Sequence, residues 1–115
     1  GDMVLRIVED GKLKDIPIRE GEMLMLPPHV PHSPQRPAGS IGMVIERVRP
    51  EGMLEAFEWY CESCGQRHHR REVQVRNIET DMPPVFDEYY DSEDLRRCGN
   101  CGHLNPGRPP KAAAG

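Results

Sequence analysis

The stretch "GEMLMLPPHVPHSPQR", residues 21–36, sets a short apolar run against four prolines, two histidines and an arginine. Proline fixes φ and has no N–H to give to a sheet ladder. The apolar half therefore reads as a strand that stops at Pro27-Pro28. The remainder reads as a stiff connector that holds the side chains of His29, His32 and Arg36 in fixed directions.

The β pattern extends to both sides. Residues 3–9, "MVLRIVE", and 12–18, "KLKDIPI", are two short strands around Asp10-Gly11. That dipeptide is a hairpin signal, because a type I′ turn needs positive φ at both central positions. A second turn falls at Glu20-Gly21. Residues 40–49, "SIGMVIERVR", predict a fourth strand with Met43 and Ile45 on one face and Val44 and Glu46 on the other. Strands this short, with turns every ten or so residues, predict a mainly β fold, a sandwich or small barrel.

With 115 residues and only six aromatic side chains, the core must be modest and in need of a further staple. A net charge of −4 argues against bulk attraction to nucleic acid or to an anionic membrane. No apolar run approaches the ~18 residues needed to span a bilayer, and no signal peptide opens the chain. A cytoplasmic location is expected.

After Pro50 the character changes. Residues 68–78, "HHRREVQVRNI", predict a strand, and residues 80–97 a short helix with Thr80 or Asp81 as cap and prolines in its first turn. All four cysteines fall in two matching pieces, Cys61-Glu-Ser-Cys64-Gly65 and Cys98-Gly-Asn-Cys101-Gly102. Each C-x-x-C-G is a knuckle that presents two thiolates from one tight turn. Together they suit a closed tetrahedral site for structural zinc or a rubredoxin-type iron. Two redox or disulfide pairs are the alternative. The 33 residues between the knuckles require the intervening strand and helix to bring the pairs together. "RHHRRE", residues 67–72, is locally basic, but nearby acids cancel it. His68 and His69 are expected on opposite faces of a strand.

The spacing Gly21-x5-Pro27-x-His29-x-x-His32 resembles the second cupin motif, although His29 stands where cupins usually carry Gly and Arg36 where an Asn often sits. Together with "VIERVRPEGMLEAFEWYCESCG" and "TDMPPVFDEYYDSEDLRRCGNCG", the chain resembles the 3-hydroxyanthranilate 3,4-dioxygenase family of the type with a C-terminal rubredoxin-like site. The resemblance implies a partial cupin, a small β-barrel or jelly roll, over residues 1–52. A four-cysteine segment with a short helix follows over 53–105, then a disordered tail over 106–115.

It also implies a reaction. Ferrous iron held by two His and one Glu chelates an aromatic substrate, and O2 cleaves the ring. The product, 2-amino-3-carboxymuconate semialdehyde, cyclises to quinolinate on the route from tryptophan to NAD. By resemblance His32 is the last ligand of the catalytic iron, and Arg36 grips the substrate carboxylate. Glu46 lies beside the substrate's amino and hydroxyl groups as a catalytic or orienting acid. Cys61, Cys64, Cys98 and Cys101 hold a second metal, iron or zinc, and a homodimer is implied.

Gly1 aligns with the last Gly of the first cupin motif. The other iron ligands are therefore expected outside this sequence, and the chain is read as the C-terminal part of the enzyme. By itself it is expected to be inactive, with unpaired strand edges around residues 3–9. The alternative readings are a non-enzymatic, metal-stabilised module that binds a partner, and a zinc-ribbon nucleic-acid binder.

Overall fold

The computed structural model describes residues 1–108, which form two compact units, Gly1–Ile45 and a second beginning at Glu46. The fold is mainly β. Most of the expected tail, residues 109–115, lies outside the described residues.

In the first unit, β1 (Met3–Glu9) and β2 (Lys12–Ile18) form the expected hairpin, in register from Met3↔Ile18 to Glu9↔Lys12. Asp10 and Gly11 have φ of 51° and 73°, the pair of positive values that a type I′ turn demands. Alternation along β1 buries Leu5 and Ile7 and turns Arg6 outward to Asp15, its cross-strand partner, at 2.8 Å. Fully burying each such aliphatic side chain is worth about 1.5–3 kcal/mol.

The third strand is not the apolar run that the pattern predicts. It is β3, His32–Gln35, which pairs antiparallel with β1 as Ile7↔His32 and Leu5↔Pro34. A further bond joins the Val8 N–H to the Pro31 carbonyl at 3.0 Å. The sheet order is β2-β1-β3, so β1 is the centre of the sheet and not the unpaired edge expected for it. The two edge strands each carry a proline, Pro17 and Pro34, where a missing donor is tolerated. Both sides of β1 are occupied, and residues 22–30 form no strand. Leu24, Leu26 and Val30 instead line an apolar cleft of about 230 Å³ over Ile7 and Ile16.

Residues 40–49 also form no strand. A strand requires a neighbour for its N–H and C=O groups, and none of the described strands pairs with this segment. Its apolar side chains stand in solvent, with Ile41 95% and Ile45 88% exposed.

The second unit opens with a hairpin that the sequence only half disclosed. β4 (Glu55–Tyr60) pairs with β5 (Arg67–Val73), and the first knuckle is its turn. The expected single helix is three short ones: α1 (Ile78–Asp81), α2 (Pro83–Tyr90) and α3 (Glu93–Arg96). Prolines occupy the first positions of α2 as predicted, but its cap is Met82, with no side-chain bond. Asp81 instead accepts the N–H groups of Arg76 and Asn77 at 2.8 and 2.9 Å. Asn77 and Ser92 cap α1 and α3.

All six aromatic residues of the chain lie between positions 57 and 90, and they make this unit's core. Tyr89, 1% exposed, stacks on Trp59 at 4.4 Å, while Phe86 meets Phe57 and Trp59 edge-on at 5.6 and 5.9 Å. Arg108 returns to α2, 2.6 Å from Asp87 and 5.8 Å above the Tyr90 ring.

Candidate metal centre

The two knuckles are built alike. In the first, the Cys61 N–H bonds the Gln66 carbonyl at 2.8 Å and the Gly65 N–H bonds the Cys61 carbonyl at 2.9 Å. In the second, Cys98 to His103 and Gly102 to Cys98 repeat both bonds at the same lengths. Gly65 and Gly102 share φ of 79°, a conformation that a Cβ would penalise. The match continues outward: the Tyr60↔Arg67 pair of the β4–β5 hairpin corresponds to the Arg97↔Leu104 bridge, 37 positions on.

This repeat brings together the four cysteines predicted as ligands. All are free thiols; Cys61 and Cys98 are buried, Cys64 and Cys101 exposed. Their four Sγ atoms lie within 4.8 Å of one another, with Cys61 to Cys101 at 3.5 Å and Cys64 to Cys98 at 3.7 Å. A tetrahedron with metal–sulfur bonds of about 2.3 Å has edges of roughly 3.8 Å, so the residues fit a four-thiolate metal.

The electrostatics agree. The Gln66 backbone N–H and the Asn100 amide pull the Cys64 thiol down to about 6. The His103 N–H pulls Cys101 the same way, but the neighbouring sulfurs, Cys61 first, and burial outweigh it and push that thiol up to about 11. The Cys64 thiol is drawn toward the thiolate while the Cys101 thiol is held protonated by the sulfurs around it, a repulsion that a bound cation would offset. Backbone N–H groups of Ser63 and Cys64 also approach the Cys61 sulfur at 3.4 Å.

His68 and His69 do not face opposite ways. The ladder slips between Trp59↔His69 and Tyr60↔Arg67. His68 is thus the extra residue of a bulge, and both imidazoles stack on Tyr89, at 5.8 and 5.7 Å. The arginines of the basic run meet acids: Arg67 and Arg70 reach Glu58 at 3.1 Å, and Arg71 reaches Glu88 at 3.6 Å.

The remaining predicted site residues divide between the units. His32 and Arg36 belong to the first, Glu46 to the second. Antiparallel partners share a face, so His32, opposite Ile7, points to the side of the sheet that carries the apolar residues. Its Nδ1 lies 2.8 Å from the Val30 carbonyl and must donate there, which leaves the Nε2 lone pair available to a metal. Arg36 follows β3 and lies so close over Gly42 that a Cβ there would collide with the guanidinium. Glu46 is bound by Arg49 at 3.1 Å. His29 has φ of 64°, in the left-handed region that explains why glycine suits this position in the motif.

A family model described as 3-hydroxyanthranilic acid dioxygenase matches residues 1–90. The chain belongs to that family. Relatives named 3-hydroxyanthranilate 3,4-dioxygenase include one from Jannaschia sp., 52% identical over 111 residues, which are 96% of this chain and 62% of the relative. One from Burkholderia lata is 53% identical, covering 94% and 63%, and one from Shewanella woodyi is 55% identical, covering 96% and 59%. The chain thus spans about three fifths of the length of these 3-hydroxyanthranilic acid dioxygenase relatives. Family membership gives the first unit's sheet its place as part of a cupin.

Sequence reasoning missed Asn105, the one buried polar residue among those described. The signal that finds it is the 37-residue offset between the knuckles, which pairs Asn105 with His68.

Proposed function

We propose that this chain carries the substrate side of an iron-dependent, ring-cleaving 3-hydroxyanthranilate 3,4-dioxygenase. The observation that carries the reading is the match, at more than half identity, to relatives with that printed name. Ferrous iron, when bound, would supply the chelation of the substrate and the activation of O2. His32 is the ligand this chain offers to it, through the free Nε2. The remaining ligands of the two-His, one-Glu set belong to the part of the relatives' length that this chain does not span.

Arg36 has no carboxylate partner among the described residues, so its planar fork is free to take the substrate carboxylate bidentately. Glu46 orients the amino and hydroxyl groups and accepts a proton from them. The four cysteines hold a closed structural metal, iron or zinc, with no position open to substrate. The working protein is a cytoplasmic homodimer acting on a small aromatic acid on the route from tryptophan to NAD, with neither nucleic acid nor membrane as partner. Among the described residues, no helix is long and apolar enough to cross a membrane.

The test joins the chain to the complementary N-terminal portion of the Jannaschia relative and assays Fe(II)-dependent loss of 3-hydroxyanthranilate. Ring opening that His32→Ala abolishes is the expected result. Activity that survives the substitution refutes the ligand assignment.

A further inference from the structure

His68 and Asn105 stand at equivalent positions, each four residues past the second cysteine of its knuckle. Both reach the same atom. His68 Nε2 lies 2.9 Å from the Tyr89 hydroxyl, and Asn105 Nδ2 donates to that oxygen at 3.2 Å. The phenol accepts from the amide and shares a second hydrogen bond with the imidazole. One hydroxyl from α2 thus joins the two halves of the repeat.

Asn105 does more than meet the phenol. Its second Nδ2 hydrogen goes to the Tyr60 carbonyl at 2.9 Å, and its Oδ1 accepts the Glu62 N–H at 3.1 Å. These are the peptide groups on either side of Cys61. The backbone of Asn105 is itself fixed: its N–H bonds the Arg96 carbonyl at 3.0 Å, and its carbonyl accepts Arg96 Nη1 at 2.8 Å. A residue from the segment after the second knuckle therefore grips the first knuckle around its buried cysteine, with every side-chain hydrogen-bonding group in use. A neutral amide buried this deeply costs stability unless all its bonds are made, so its geometry is narrowly set.

We infer that Tyr89 and Asn105 are positioning residues of the four-cysteine site, a hydrogen-bonded clasp that fixes the spacing of the two knuckles and so holds their metal. The inference rests on the four-thiolate reading. It extends that reading from the ligands to the groups that space them.

The test loads the full chain with Co(II), whose thiolate charge-transfer and d–d bands report a tetrahedral four-sulfur site, and follows release into excess EDTA. Tyr89→Phe removes only the shared hydroxyl. Asn105→Asp keeps the acceptor for Glu62 and removes the donors to Tyr60 and Tyr89. Val85→Ala, which hollows the buried face of the same helix without removing a hydrogen bond, is the control for lost stability. The clasp predicts release at least about 10-fold faster in Tyr89→Phe and Asn105→Asp than in Val85→Ala, with shifted d–d bands in the first two only. Release and bands matching the control overturn the clasp while leaving the ligands in place. A wild-type chain that shows no four-sulfur cobalt bands overturns the metal reading, and the clasp with it. Should Tyr89→Phe fail to fold, Asn105→Asp, which leaves the ring stack whole, decides the matter.

Discussion

At the scale of single residues, His29 carries the clearest strain. A left-handed φ of 64° costs an ordinary residue roughly 1–2 kcal/mol, and no side-chain hydrogen bond among the described residues offsets it. His29→Gly removes that cost but enlarges the freedom of the unfolded chain by about 0.4–1 kcal/mol. The strain relieved exceeds the entropy lost, so the variant is expected to be more stable by roughly 0.5–1 kcal/mol. Slower amide exchange along β1 would register the gain, and faster exchange would mean that the imidazole has a role in the turn. The same residue shows what a spacing can hide. Its place in the motif was legible, but the conformation that makes glycine its usual occupant appears only in the backbone.

At the scale of elements, the hairpin of β4 and β5 binds charge across its face. Burial would raise the Glu58 carboxyl, but the Tyr60 hydroxyl, Arg70 and Arg67 outweigh burial and hold it below its usual range. Burial, together with Glu58, pushes Tyr60 up to about 12. A phenol whose folded value is raised stabilises the fold fully below about pH 10 and loses that contribution as pH climbs from about 10 to about 12. The urea midpoint is expected to fall over that window, with a loss of no more than about 2–3 kcal/mol of unfolding free energy from this group. Tyr60→Phe should flatten the alkaline limb, and an unchanged slope would assign it to other groups. Which elements could be read in advance follows from where their information lies. Asp10-Gly11 encodes its turn locally, so β1 and β2 were legible to the residue. Residues 40–49 have the alternation of a strand, but a strand is a property of two segments, and no described neighbour completes it. The bulge at His68 was hidden for the same reason, because register against β4 and not sequence spacing chooses the face.

At the scale of the molecule, chemistry and rigidity are unevenly shared. The first unit has no aromatic residue, and the second has all six together with the four thiols. Trp59 fluorescence and near-ultraviolet dichroism therefore report on the second unit alone. Binding energy at a four-thiolate site, on the order of 10 kcal/mol, is folding energy for a unit this small. Removing the metal with excess chelator is expected to abolish the near-ultraviolet signal, and a signal that persists would mean the aromatic core stands without it. The clustering of the four cysteines was readable because the C-x-x-C-G spacing is written into the chain. Asn105 was not, since its role comes from folding the repeat back on itself. That repeat also carries a cost in time. Corresponding positions of the two knuckles are 37 residues apart, and a ribosome adding about 5–20 residues per second takes roughly 2–7 s to deliver the second pair after the first. For those seconds each newborn chain would expose a half-built chelate, two thiols open to the wrong ion or to an oxidant.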